Sequence, residues 1–324
     1  MPKAMHARPA LRGPLPLPEG AVGAAFSCDG ETVNLTHLTK PYFPDGATKR
    51  DLLDYNHDVA EFLLPYLRDR PYTMKRYPDG IDAPPFFQKE ARAPAWVPTV
   101  RMPSSNQREH VNFIVVNNTA ALLYVVNSGC IDHNIWMSRR DTPLSPDFIL
   151  IDLDPGPRAG FALVIRVAQA LRKVLDKHGI EGFPKTSGAT GMHVWIPIAP
   201  GHTFPQSQQF AALLLRMAAQ AVPEAATEVW GLRRRPQDKV YLDFRQNAHG
   251  KTIPPPYSPR PHPGAPVSAP LRWDEVKAGL DPSKFTIRSM RRRLERVGDL
   301  FAGTLPNASH ASLQTLLRRL DPAA

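Results

Sequence analysis

Residues 148–156 read FILIDLDPG, four apolar residues followed by two acids two positions apart and then a Pro-Gly turn. Such a run forms a buried strand, and side chains two apart on a strand project to the same face, about 7 Å from each other. Asp152 and Asp154 are thus delivered together to the end of an apolar strand, where two unpaired carboxylates repel. A divalent cation removes the conflict. Mg²⁺ or Mn²⁺ prefers carboxylate, water and phosphate oxygens, so the pair can hold one or two ions against a polyphosphate. A third carboxylate is offered by VYLDF, in which Asp243 points away from one apolar face of a strand able to pair beside the first. The plainer reading of D-x-D-P-G is a helix cap and a closed turn.

The remaining patterning supplies strands and helices in alternation. GATKRDLLDYNHDVAEFLLPYLRDRP carries Leu52, Leu53, Val59, Phe62, Leu63 and Leu67 at helical spacing, closed by Pro71. VNFIVVNNTAALLYVVNSGCI is long and uncharged. Its four asparagines argue against a membrane span and for a strand, a helix starting at Thr119 and another strand. After the acidic strand, Val164, Val167, Ala168, Leu171 and Leu175 line one helix face before Gly179. MHVWIPI reads as a strand, PQSQQFAALLLRMAAQAV as a helix with Pro205 near its start, and KVYLDF as a short strand. Residues 254–270 hold eight prolines, which forbid helix and ladder and leave an extended segment expected on the surface. KFTIRSMRRRLERVGDLF reads as a basic helical tail. The expectation is a mixed sheet covered by helices, its strand order, parallel or antiparallel, left open.

With 324 residues and 42% hydrophobic composition the chain is globular, and 40 Lys+Arg against 30 Asp+Glu favour a polyanionic partner. Two cysteines without CxxC spacing exclude a disulfide framework or a zinc ribbon and point to a reducing, cytoplasmic setting. Residues 1–20 are Pro-rich and lack an apolar core, so they read as a mobile tail, not a signal peptide, ahead of a single domain over 21–324.

A second motif is KTSGATGMHVWIP. Ser187, Gly188 and Gly191 make a turn whose backbone N–H groups can cradle phosphate oxygens, and His193 leads the next strand with a donor for phosphate or sugar. An ordinary glycine hairpin is the alternative.

ILIDLDPG, KTSGATGMHVWIP and KVYLDFRQNAHGKTIPPPYSPR occur in the order seen in the polymerase domain of bacterial ligase D, of the archaeo-eukaryotic primase superfamily, and this chain resembles that family over about residues 30–302. LTKPYFPDGATKRDLLDYNHDVAEFLLPYLRDRP, DGIDAPPFFQKEARAPAWV and DHNIWMSR extend the likeness. It implies an α+β primase-polymerase fold: an RRM-like mixed sheet with helices packed on it over 146–324, joined to an N-terminal α/β part over 21–145 with the DNA-end and template contacts. It implies template-directed nucleotidyl transfer to DNA 3′ ends by two-metal catalysis with Mn²⁺ or Mg²⁺, nucleoside triphosphates as substrates and ribonucleotides preferred.

By the same resemblance Asp152, Asp154 and Asp243 hold the metals. His133, Ser187, Gly188, Gly191, His193, Gln246, Asn247, Lys251 and Arg260 surround the nucleotide. Lys40 and Lys49 grip a 5′-phosphate of the downstream strand, while Phe86 and Phe87 stack on template, one of them expected in the core, with Lys89 and Arg92 reaching DNA backbone. Thr190 stands where some relatives carry a basic residue. Implied partners are DNA with gaps, breaks or 3′ overhangs, Ku and a DNA ligase, with no membrane, in a cytoplasmic, nucleoid-associated setting. No ligase nucleotidyl-lysine motif is present, which fits an excised domain or a stand-alone relative. The rival functions are a metal-dependent nuclease or phosphohydrolase using the same carboxylates, and a non-catalytic DNA-end-binding module.

Overall fold

The computed structural model describes residues 9–104, 109–229, 231 and 233–320. The first part of the chain holds β1 (Ala24–Cys28), β2 (Glu31–Leu35), α1 (Lys49–Asp58), α2 (Ala60–Leu67), β3 (Tyr72–Arg76), β4 (Phe86–Gln88), β5 (Thr99–Pro103), β6 (His110–Ile114), α3 (Thr119–Asn127) and β7 (Cys130–Trp136). The second holds β8 (Phe148–Pro155), α4 (Phe161–Lys177), β9 (Phe183–Thr186), β10 (Met192–Pro197), α5 (Phe204–Ala221), β11 (Ala226–Thr227), β12 (Val240–Asp243), β13 (Thr252–Ile253), α6 (Met290–Val297) and α7 (Leu313–Leu320).

Among the described residues the strands form a β1-β2 hairpin and two larger sheets. One runs β13-β7-β3-β6-β5 with β4 added to β3, the other β11-β12-β8-β10-β9. Every pairing in the two larger sheets is antiparallel except the two-residue β11–β12 contact, which settles the order the pattern left open. No helix is long and apolar enough to cross a membrane among the described residues.

The apolar character of β8 follows from its place. Ile149, Ile151 and Leu153 pack into a core with α4 and α5, whereas Phe148 and Leu150 belong to the core shared with the first sheet and its helices. A strand covered on both faces reads as a continuous apolar run. Phe148 stacks on Trp195 of β10 at 3.7 Å between ring centroids, sealing the cover on that side. Farther along the same face the side chains of Asp152 and Asp154 are 17% and 50% exposed, so the strand runs out into a solvent-open notch, hereafter the cleft.

Two stretches differ from expectation. Residues 254–270 are extended but, apart from 260–264, buried. Six of the eight prolines lie in the buried parts and bring no N–H donors inside, which lowers the polar cost of burial. Donors that remain are used: Ala269 N–H bonds Thr186 Oγ1, and Ser268 N–H bonds Ser258 O, each at 2.9 Å. The presumed mobile tail is also docked from residue 9. Ala10, Gly13 and Leu15 donate N–H groups to carboxylates of Glu61, Asp58 and Asp54, and Leu15 is buried. Those acids line one side of α1 and α2, a spacing that hydrophobic patterning does not register. Residues 1–8 of that tail lie outside the described residues.

Candidate active site

The register of the second sheet puts four chemically active side chains in one lateral row. Asp243 on β12 lies opposite Asp152 on β8, Asp152 lies opposite His193 on β10, and His193 lies opposite Lys185 on β9. Directly opposed residues in an antiparallel pair have Cβ atoms about 5 Å apart. Burial pushes the Asp152 carboxyl up to about 8, the charges of Asp154 and Asp243 push in the same direction, and Lys185 and Arg260 oppose them. Asp154 is also raised, by burial first, and is held by Arg235 Nη1 at 3.2 Å. Arg235 in turn lies over the Tyr241 ring at 3.6 Å. The Asp243 carboxylate accepts from the Arg245 N–H at 2.9 Å.

These donors suit a hard divalent cation: all are carboxylate oxygens, and their mutual repulsion is the strain that such an ion relieves. Among the described residues no three His, Cys, Asp or Glu side chains close into a ready-made cage. Asp154 is turned toward Arg235, so a full coordination sphere needs oxygens from water or a polyphosphate, as is usual for Mg²⁺.

The Ser187–Gly191 turn is stiffened from within. Ser187 Oγ accepts from the N–H groups of Ala189 and Gly191 at 3.1 and 3.0 Å, and Ser187 N–H bonds Gly191 O at 2.9 Å. Three amides of the expected phosphate cradle are therefore turned inward. Gly188 has φ +73°, and a Cβ there would collide with Arg260 Cγ and sit 2.9 Å from Ser268 N. A Cβ on Gly191 would strike the Leu153 carbonyl of the acidic strand. Glycine at these two positions lets the proline-rich segment and β8 close on the turn. Arg260, from that segment, pairs with Asp132 of β7 at 3.1 Å and so bridges the two sheets beside the cleft.

Some matched residues stand away from the cleft surface. His133 is wholly enclosed: Nε2 lies 2.8 Å from Asn56 Oδ1 and the Tyr72 hydroxyl meets Nδ1. An amide oxygen only accepts, so Nε2 carries the proton and the tyrosine donates. Burial drives this imidazole down to about 3. The residue of that strand that faces Arg260 is instead Asp132. Asn247 is buried and clamps Leu150, accepting its N–H at 2.8 Å and donating to its C=O at 2.7 Å, which splints β8. Gln246 follows Asp243 in a half-buried 3₁₀ turn, and Lys251 is exposed.

Lys49 is the first residue of α1, behind a Thr48–Asp51 capping box, and its N–H bonds Lys40 O at 2.9 Å. Lys49 thus opens the helix, where anions are attracted, with its side chain buried and Nζ 3.5 Å from Thr36 Oγ1. Burial, then Lys40 and Arg76, push Lys49 down to about 8, while Lys40 pairs with Asp79 at 2.6 Å. Phe86 and Phe87 are 46% and 61% exposed, so neither is core. Three-residue β4 offers the rings no layer to pack under, and Arg76 and Lys75 lie over them instead. Lys89 and Arg92 are exposed beyond them. Asp132 opens the DHNIWMSR stretch and Arg235 lies in the arginine run 233–235, but the sequence assigned neither a place at the site; their roles come from register and loop position.

The chain matches the model of the LigD primase-polymerase domain over residues 48–301. It is 35% identical over 295 residues to the bifunctional non-homologous end joining protein LigD of Bacillus subtilis, covering 89% of this chain and 46% of that protein. It is 30% identical over 304 residues to the multifunctional LigD of Pseudomonas aeruginosa, covering 94% and 35%. The chain thus spans less than half the length of these two relatives. The polymerase domain of Mycobacterium tuberculosis ligase D, solved in complex with DNA, superposes with a TM-score of 0.76 at 28% identity, covering 90% of this chain and 99% of that one. On these matches the chain belongs to the LigD primase-polymerase domain family, nucleotidyltransferases of the polymerase-primase type associated with non-homologous end joining.

Proposed function

We propose that this domain extends DNA 3′ ends at gaps and breaks under template direction, with nucleoside triphosphates and by preference ribonucleotides. The observation that carries the reading is the pairing of Asp243 with Asp152, with Asp154 one step along the same face, at the mouth of a cleft flanked by Arg260 and His193. Mn²⁺ or Mg²⁺ held by the three carboxylates supplies charge neutralisation for the triphosphate and acidification of the primer hydroxyl.

The chain's own residues do the rest. Arg260, a fixed guanidinium fork, binds triphosphate oxygens, and His193 contributes a ring N–H. Arg235 releases Asp154 when the incoming charge competes for it. Phe86 and Phe87 offer a stacking surface to template bases without sequence preference, and Lys89 and Arg92 meet backbone phosphates. Lys40 and Lys49 hold the 5′-phosphate across the gap, which sets where the 3′ end must lie. A terminal ligase must then seal the product, and a Ku-type end-binding protein is the fitting recruiter.

The test is extension of a gapped duplex with and without a 5′-phosphate, comparing both sugars and both metals. Extension stimulated by the 5′-phosphate is expected, and Asp243→Ala abolishes it while retaining DNA binding. Shortening of the primer would favour a nuclease, and binding without synthesis would favour an end-bridging module.

A further inference from the structure

The lateral row of the second sheet has a fourth member whose side chain never reaches the cleft. Lys185 is wholly buried on β9, yet its Nζ lies 2.9 Å from His193 Nδ1 and bonds Ser268 Oγ. Ser268 Oγ in turn donates to Thr186 O at 2.8 Å, so its lone pairs are what it offers the lysine. Burial, then Arg260, lowers this amine well below the usual lysine range, while Asp152 and Asp132 hold it toward the charged form. In that form it has donors only, so Nδ1 of His193 accepts and the proton of the neutral ring resides on Nε2. That nitrogen lies 3.5 Å from Asp152 Oδ1, too long for a firm hydrogen bond, so its N–H remains able to turn to another oxygen in the cleft.

A buried amine is costly and needs a purpose in the packing. A hydrophobic residue between β10 and the proline-rich segment would fill the space. It would also leave Nδ1 without a partner and the ring free to hold its proton on either nitrogen.

We propose that Lys185 is a positioning residue: its amine fixes His193 as an Nε2–H donor facing the metal carboxylates and the triphosphate. Ser268 completes the device, because it ties the amine to the segment that carries Arg260. The two phosphate-binding side chains are thereby set by one buried group. This inference rests on the reading of His193 as a triphosphate ligand given above.

The test has two arms. Ring-¹⁵N spectra of the intact resting protein should show His193 with an unprotonated Nδ1 and a protonated Nε2, and Lys185→Met should mix the tautomers. A protonated Nδ1 in the native protein, or an unchanged tautomer in Lys185→Met, would overturn the proposal. In primer extension, Lys185→Met should raise KM for the nucleotide about tenfold, the equivalent of one hydrogen bond, with kcat little changed. Because the lysine acts through the histidine, Lys185→Met/His193→Ala should be no worse than His193→Ala alone. Multiplying defects would overturn the proposal. An unchanged KM in His193→Ala would instead overturn the triphosphate role of the histidine, a failure the spectra separate from that of the lysine. Should Lys185→Met not fold, the native spectrum still decides.

Discussion

Asp152 carries the conflict from which the site is built. Its carboxyl, raised to about 8 by burial and then by Asp154 and Asp243, is compared with an unfolded value near 4. A group whose acid is favoured by folding contributes nothing adverse below pH ~4, and its ionisation weighs increasingly against the fold as pH rises toward 8. Without divalent ions, Asp152→Asn should therefore match the parent near pH 4 and exceed it by about 1 kcal/mol or more at pH 8 in urea unfolding. The same substitution should lower extension about 100-fold or more, since several kcal/mol of charge stabilisation at the phosphate depend on it. Equal pH slopes for parent and variant would show the carboxyls do not press on one another. Lys49 has the opposite sense. Its amine, lowered to about 8, is charged below that pH, so stimulation by a 5′-phosphate should fade as pH rises beyond 8. Lys49→Met should show no such pH dependence.

At the level of the element, β8 and the β9–turn–β10 hairpin were legible because their requirements are local. Same-face acids need a strand, and a Gly-rich turn before an apolar run needs a hairpin. Which residues oppose one another was not legible, because register is fixed by packing across strands far apart in sequence. That is why the buried Lys185 end of the lateral row, and the Asp132–Arg260 bridge, emerge only in three dimensions, whereas Asp243 was already read as lying beside the acidic strand. The same limit misplaced the aromatic pair, since helical or strand periodicity says little about a three-residue β4. Both rings being exposed, Phe86→Ala and Phe87→Ala should leave the melting temperature within about a degree. Each should weaken templated extension by roughly 1–3 kcal/mol if it stacks on a base. Gly191→Ala should do the reverse. Its Cβ meets the Leu153 carbonyl, so β8 must shift between Asp152 and Asp154, and kcat should fall with template affinity intact.

Over the whole molecule the two sheets are coupled by the buried proline-rich segment, whose low donor count lets it run between them. Tyr257 anchors it twice: its carbonyl accepts from the Tyr55 hydroxyl at 2.7 Å, and its own hydroxyl donates to Asp299 at 2.6 Å. Asp299 also receives the Tyr66 hydroxyl at 2.7 Å, joining α2, the segment and the end of α6. Its carboxyl is nonetheless raised, because burial outweighs the bonds that favour its ionised form. Tyr257→Phe removes one charge-assisted bond and leaves Asp299 under-satisfied, at a cost of about 1–3 kcal/mol. Three residues on from Tyr257, Arg260 faces the cleft. Loosening the anchor should therefore raise KM for nucleotide several-fold although Tyr257 is buried, and leave the 5′-phosphate response of the lysine pair unchanged. A stability loss with unaltered KM would mean that Arg260 is held by Asp132 alone, and that the two sheets set the site without the segment between them.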